Sequence, residues 1–164
     1  MRMRVSRRRL VALGAGGMAA ALAAGRARAV PAALPARALA FHNLHTGERF
    51  DGAYWAAGRY LPDALAEVRR VLRDFRTGDE HAIDPCLLDL LTALRARMES
   101  GQPFEVISGY RSPATNAMLH EMSRGVASHS FHMQGKAIDI RLPGRALAHL
   151  RDAALGLSAG GVGF

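Results

Sequence analysis

The sequence predicts an α+β domain in which helices pack on a small, mostly antiparallel sheet. Short apolar runs at 39–44, 104–108 and 136–141, each bounded by Gly, Pro or polar residues, have the length and pattern of strands. Longer runs opening on Pro62, Pro85 and Pro113 place leucines three and four apart, which is helical spacing. About 135 residues follow Ala29, enough for one domain around one core.

The elements follow in order. A basic start (Arg2, Arg4, Arg7, Arg8, Arg9) precedes a weakly apolar stretch at 10–24, and Ala27-Arg28-Ala29 is a small-x-small cleavage site before Val30. This reads as a secretory signal over 1–29, too short and too rich in Gly and Ala for a membrane span. Ser6-Arg7-Arg8-Arg9-Leu10 further resembles a twin-arginine export signal, with an ordinary Sec signal as the alternative. Pro31 and Pro35 among alanines make 30–37 a linker. A strand at 39–44 should turn at His45-Thr46-Gly47-Glu48 and return at 49–50. Pro62 opens a helix to about residue 76, with Leu65, Val68, Leu72 and Phe75 on one face. Asp84 caps the next helix and Pro85 begins it. Leu87, Leu88, Leu91, Leu94 and Met98 point inward until Gly101 ends it. After the strand at 104–108, Ser112 caps a helix from Pro113 to Met122. A loop then runs to Phe131, the strand at 136–141 follows, and a last helix spans about 144–155.

Charge excludes a nucleic-acid partner. Of 22 basic residues seven lie in 1–29, which leaves 15 against 14 acidic and a net charge near +1 after cleavage. No basic stripe interleaved with aromatics remains. Cys86 is the single cysteine, so no intrachain disulfide can form, and no Cys-His grouping makes it a nucleophile. There is no internal repeat, phosphate loop or dinucleotide fingerprint.

The chemistry concentrates in Ser130-Phe131-His132-Met133-Gln134-Gly135-Lys136-Ala137-Ile138-Asp139-Ile140. Gly135 permits a reversal, and strand alternation beyond it turns Ile138 and Ile140 to the core and Ala137, Asp139 and Arg141 away. His132 and Asp139 can then converge on one point. An imidazole nitrogen and a carboxylate oxygen are two of the three protein ligands of a typical catalytic zinc. By spacing alone a surface His beside a turn-capping Asp is the favoured reading. Arg111, on the turn between the strand at 104–108 and the Ser112-capped helix, is held where a guanidinium can grip a carboxylate or a developing oxyanion, or simply form a surface ion pair.

The Gly109-Tyr110-Arg111-Ser112-Pro113 turn, Asn116, Ser123-Arg124-Gly125-Val126-Ala127 and the Ser-x-His-x-x-Gly-x-Ala-x-Asp element resemble the murein endopeptidase K group of zinc peptidases, within the D-alanyl-D-alanine carboxypeptidase superfamily. Asn43-Leu44-His45-Thr46-Gly47-Glu48, Gly58-Arg59-Tyr60, Leu72-Arg73-Asp74-Phe75-Arg76-Thr77-Gly78 and Ile83-Asp84-Pro85 extend the likeness from about Ala38 onward.

The resemblance implies a D-Ala-D-Ala carboxypeptidase/Hedgehog-like fold over 38–164 and a Zn2+ cofactor held by His132 and Asp139. It also implies peptidoglycan stem peptides as substrate and a place in the periplasm or cell envelope. Arg111 would be catalytic and, with Ser112 and Ser130, bind substrate. Cleavage of cross-links is the expected reaction, with D,D- or L,D-carboxypeptidase action or a non-catalytic wall-binding role as alternatives. The family's third ligand is a histidine on a strand after Gly-Gly-Val-Gly-aromatic. This sequence reaches Gly160-Gly161-Val162-Gly163-Phe164 at that point, so the domain is expected to be incomplete and its hydrolysis impaired. His120 and His129 are the alternative third ligands nearest the motif.

Overall fold

The computed structural model describes residues 34–123 and 125–163. The signal expected at 1–29, the first part of the linker, Arg124 and Phe164 lie outside the described residues. Five strands form one sheet: β1 (Arg37–Asn43), β2 (Arg49–Ala56), β3 (Arg59–Tyr60), β4 (Phe104–Ser108) and β5 (Asp139–Arg141). Their spatial order is β3-β2-β1-β4-β5. β1 and β4 run parallel and the other pairs antiparallel. The helices are α1 (Pro62–Val71), α2 (Pro85–Arg97), α3 (Pro113–Met122) and α4 (Leu147–Leu155), with a 3-10 turn at Phe131–Gln134. The expected α+β class holds.

Burial explains the layers. β1 lies in the middle of the sheet, and its Leu39, Ala40 and Phe41 are all buried, the continuous apolar run of a strand covered on both faces. α1 packs on β1 and β2, α2 on β1, and α4 on α2. Val68, Val71 and Leu72 meet Leu88, Leu91, Leu94 and Met98 in one core with Phe104 and Val106 of β4. Behind it, the Asp89 carboxylate accepts hydrogen bonds from Tyr54 and Tyr60 and pairs with Arg37, fastening α2 to the first three strands. Prolines at the first turns of α1, α2 and α3 supply the fixed φ and lose no hydrogen bond there. Asp84 accepts from the Cys86 amide, and Ser112 from the Thr115 amide, as their cap positions require.

Several boundaries differ from expectation, and β3 had no expected counterpart. β2 runs to Ala56 rather than stopping near residue 50, because pairing with central β1 from Arg37↔Trp55 to His42↔Arg49 overrides the poor strand preference of Asp51, Gly52 and Ala53. α1 ends at Val71 instead of reaching residue 76: the Leu72 carbonyl accepts from Tyr110 N–H, and Arg76 N–H turns to the Asp74 side chain. β5 is paired only from Asp139, since Lys136 N–H still bonds the Phe131 carbonyl of the turn. α4 starts at Leu147 because Gly144 sits at φ +74° in a turn closed by Arg145 N–H to the Leu142 carbonyl.

Candidate metal and substrate site

The site is assembled on the turn between β4 and α3. Three successive peptide N–H groups there are each spent on a distant segment: Tyr110 on the Leu72 carbonyl at 2.7 Å, Arg111 on the His132 carbonyl at 3.2 Å, and Ser112 on Asp74 Oδ2 at 2.8 Å. Gly109 must be glycine. A Cβ there would lie 2.4 Å from the Leu72 carbonyl oxygen, a backbone atom that has no room to retreat.

The segment carrying His132 folds against this turn. Ser130 caps the 3-10 turn by accepting from His132 N–H, and Gly135 ends it at φ +65° with its α-carbon pressed to the Ala82 carbonyl, which a Cβ would meet at 2.1 Å. Asp84 N–H then bonds the Gly135 carbonyl. On the sheet side, the β4–β5 register shifts between Val106 and Ser108, so Asp139 stands opposite Ser108 and beside Gly109. Such a bulge re-aims a side chain at a strand end.

His132 and Asp139 meet as the motif suggested. His132 Nδ1 is 2.7 Å from the Gly109 carbonyl oxygen, which can only accept, so Nδ1 carries a proton, and Nε2 faces Asp139 Oδ2 at 3.5 Å, donating to it in the imidazolium and offering a lone pair in the neutral ring. Arg111 Nη2 lies 3.9 Å from the same oxygen. The side chains of Arg111 and His132 are only 12% and 11% exposed, whereas that of Asp139 is 51% exposed. Partial desolvation pushes the Asp139 carboxyl up. Its hydrogen bond and charge interaction with His132, together with Arg111, outweigh this and leave it below the ordinary carboxylate value.

This pair suits a metal ion. Tetrahedral ligands about 2.1 Å from zinc lie about 3.4 Å from each other, close to the 3.5 Å seen here. An imidazole oriented by donating its other N–H to a backbone carbonyl is the usual support for a metal-ligating histidine. Among the described residues no group of three or more His, Cys, Asp or Glu side chains could hold a metal. His120 bonds the Val126 carbonyl through Nδ1, and both it and His129 are exposed.

Arg111 is largely buried beside the pair. Its Nη1 lies 3.5 Å from Asn116 Oδ1, and its Nε is buried without a hydrogen-bond partner among the described residues. Asn116, 2% exposed on α3, donates its amide to the Ala127 and Ser128 carbonyls, so it links Arg111 to the loop that leads into Ser130. Ser112 is 1% exposed with its hydroxyl occupied as the cap of α3, and Ser130 is partly exposed with its hydroxyl on His132 N–H. His45 stacks on Phe75 and His81 on Tyr110, and Cys86 is exposed.

Sequence reasoning assigned no role to Asn116, Gly109 or Asp74. Each had a signal: an Asn inside a helix, a Gly directly after a strand, and an Asp in a loop where the preceding helix was expected to continue.

The family model described as peptidoglycan L,D-endopeptidase MepK matches residues 31–164. The chain is similar to the peptidoglycan L,D-endopeptidase MepK of Escherichia coli strain K12 and to that of Shigella flexneri. Each is 40% identical over 159 residues, covering 97% of this chain and 87% of the relative. It is also similar to the probable peptidoglycan L,D-endopeptidase MepK of Haemophilus influenzae, 40% identical over 129 residues that cover 78% of this chain and 69% of that protein. No solved structure matches the chain.

Proposed function

Because the chain belongs to the peptidoglycan L,D-endopeptidase MepK family, we propose that it is a zinc-dependent peptidase that cuts stem-peptide cross-links in peptidoglycan. The observation that carries this reading is the His132–Asp139 pair, 3.5 Å apart with the imidazole oriented by the Gly109 carbonyl. The names of its relatives favour a bond between an L and a D centre over carboxypeptidase action.

His132 and Asp139 would hold the zinc, which when bound supplies Lewis-acid polarisation of the scissile carbonyl and activation of water. Asp139, kept ionised by His132 and Arg111, contributes a negative ligand. The Gly109 carbonyl holds the neutral His132 ring in the Nδ1–H tautomer, which leaves Nε2 as the atom that would bind the metal. Arg111 brings a permanent positive charge to the same point, and its unpartnered Nε–H supports a role in gripping a stem-peptide carboxylate or the oxyanion that develops on the attacked carbonyl. Ser130 contributes by capping the turn that carries His132, and Ser112 by capping α3 behind Arg111.

We further propose that residues 1–29 direct export by the twin-arginine route, with cleavage after Ala29 and a workplace in the periplasm or cell envelope. The motif Ser6-Arg7-Arg8-Arg9-Leu10 and the Ala27-Arg28-Ala29 site support this.

The test is zinc affinity by chelator competition together with release of peptides from purified sacculi. His132→Ala and Asp139→Ala should each lower zinc affinity by tenfold or more, since each removes a direct bond to the ion. Unchanged zinc affinity in both variants would overturn the ligand assignment.

A further inference from the structure

We propose that Asp74 is a positioning residue for Arg111, acting through the peptide N–H of Ser112. The proposal rests on the reading of Arg111 as the arginine that meets substrate. Asp74 is 2% exposed and lies just beyond the end of α1, far in sequence from the turn it supports. Its Oδ2 accepts from Ser112 N–H at 2.8 Å and its Oδ1 from Arg76 N–H at 2.9 Å. The Asp74 backbone is fixed as well. Its N–H donates to the Asp79 carbonyl at 3.0 Å and its carbonyl accepts from Gly78 N–H at 2.8 Å, so residues 74–79 close on themselves.

The consequence for Arg111 follows from what flanks it. Tyr110 and Ser112 both donate their peptide N–H to the 72–74 segment, one to a carbonyl and one to this carboxylate. Arg111 N–H between them donates to the His132 carbonyl. The backbone of Arg111 is therefore splinted on both sides, and its guanidinium, touched among the described residues at long range by Asn116 and Asp139, depends on that splint for its direction. A buried carboxylate is a costly way to fill space, and an apolar residue of similar size would be cheaper if packing were the only need. What a carboxylate adds here is two acceptor oxygens at fixed separation, one for the supporting loop and one for the turn, with the Thr115 and Ser112 hydroxyls as further donors.

The full chain, loaded with zinc, is compared with Asp74→Ala, Asp74→Asn, Arg111→Ala and the Asp74→Ala/Arg111→Ala double variant, each first shown to unfold cooperatively. Nitrogen relaxation of the Arg111 Nε–H reads the positioning directly. Its order parameter should fall from a rigid value of about 0.85 to below about 0.6 in the Asp74 variants. Asp74→Asn, which keeps one acceptor oxygen, serves if Asp74→Ala does not fold. Binding of a synthetic stem tetrapeptide supplies the second readout. Asp74→Ala and Arg111→Ala should each weaken it about tenfold or more, and the double variant should be no weaker than Arg111→Ala. An unchanged Nε–H order parameter, or losses that multiply in the double variant, would overturn the role of Asp74. A wild-type protein that ignores the tetrapeptide would instead sink the proposed substrate, while the relaxation result still decides whether Asp74 holds Arg111.

Discussion

Asp74 also gives the fold a pH signature of its own. Burial pushes its carboxyl up, but Thr115, the Ser112 and Arg76 amides and the Ser112 hydroxyl pull it down to about 2. The unfolded chain titrates near 3.9. A depressed folded value means that the stabilisation is complete above about pH 4 and is lost as pH falls toward 2; a shift of this size is worth about 2 kcal/mol. Urea unfolding at pH 6 and pH 3 should show about half of this loss in the wild-type protein and a shallower one in Asp74→Asn; parallel pH profiles would assign the acid sensitivity elsewhere. Arg111 makes a different prediction at the same scale. Truncation to Ala removes a charge aimed at the site but no metal ligand, so zinc affinity should hold while kcat/KM on a cross-linked muropeptide drops by about a hundredfold, or ~3 kcal/mol. A parallel loss of zinc would mean that Arg111 acts by organising His132 and Asp139 instead.

Two elements, the β4–α3 turn and the 3-10 turn, hold the site by backbone contact, and their glycines are where it is most easily broken. Gly135→Ala places a Cβ 2.1 Å from the Ala82 carbonyl at a left-handed φ of +65°, so it should cost at least about 2 kcal/mol in urea unfolding and weaken zinc binding with it. Gly101→Ala, where a Cβ meets nothing within 4 Å, is the control and should stay within about 0.5 kcal/mol. Equal effects of the two substitutions would remove the argument from close approach. What could be read from the sequence divides along the same line. Starts of α1, α2 and α3 were legible because a cap and a first-turn proline act within three residues of one another. The approach of His132 to Asp139 was legible because a loop and strand alternation carry the two side chains, and the position of Arg111 because a strand and a capped helix flank it. The end of α1 was not, since the bond that stops it comes from Tyr110, and neither was Asp74, whose partner Ser112 is 38 residues away. β2 was cut short on paper because only its pairing with β1, invisible locally, holds Asp51 and Gly52 extended.

Across the whole molecule the charges separate into two populations. Within the described residues many basic side chains are already paired: Arg70 and Arg73 with Glu48, Arg69 with Glu80, Arg37 with Asp89. Seven of the charges that make the full chain +8 come from arginines in residues 1–29, so the residues beyond keep a net charge of only about +1 with which to bind an anionic polymer nonspecifically. On the proposed function, recognition falls to the few groups around His132, Asp139 and Arg111, and the basic excess serves targeting. A twin-arginine signal is read by a receptor that requires the paired guanidinium groups, whereas a Sec signal needs only positive charge ahead of an apolar stretch. Changing Arg7 and Arg8 together to Lys keeps the charge and removes the guanidinium groups. If the twin-arginine reading holds, that variant should accumulate as unprocessed precursor inside the cell, while the wild-type protein is recovered in the envelope fraction with Val30 as its first residue. Amino-terminal sequencing and fractionation check both halves. Normal processing of the Lys variant would assign export to Sec, and a mature protein that begins elsewhere would displace the cleavage site from Ala29.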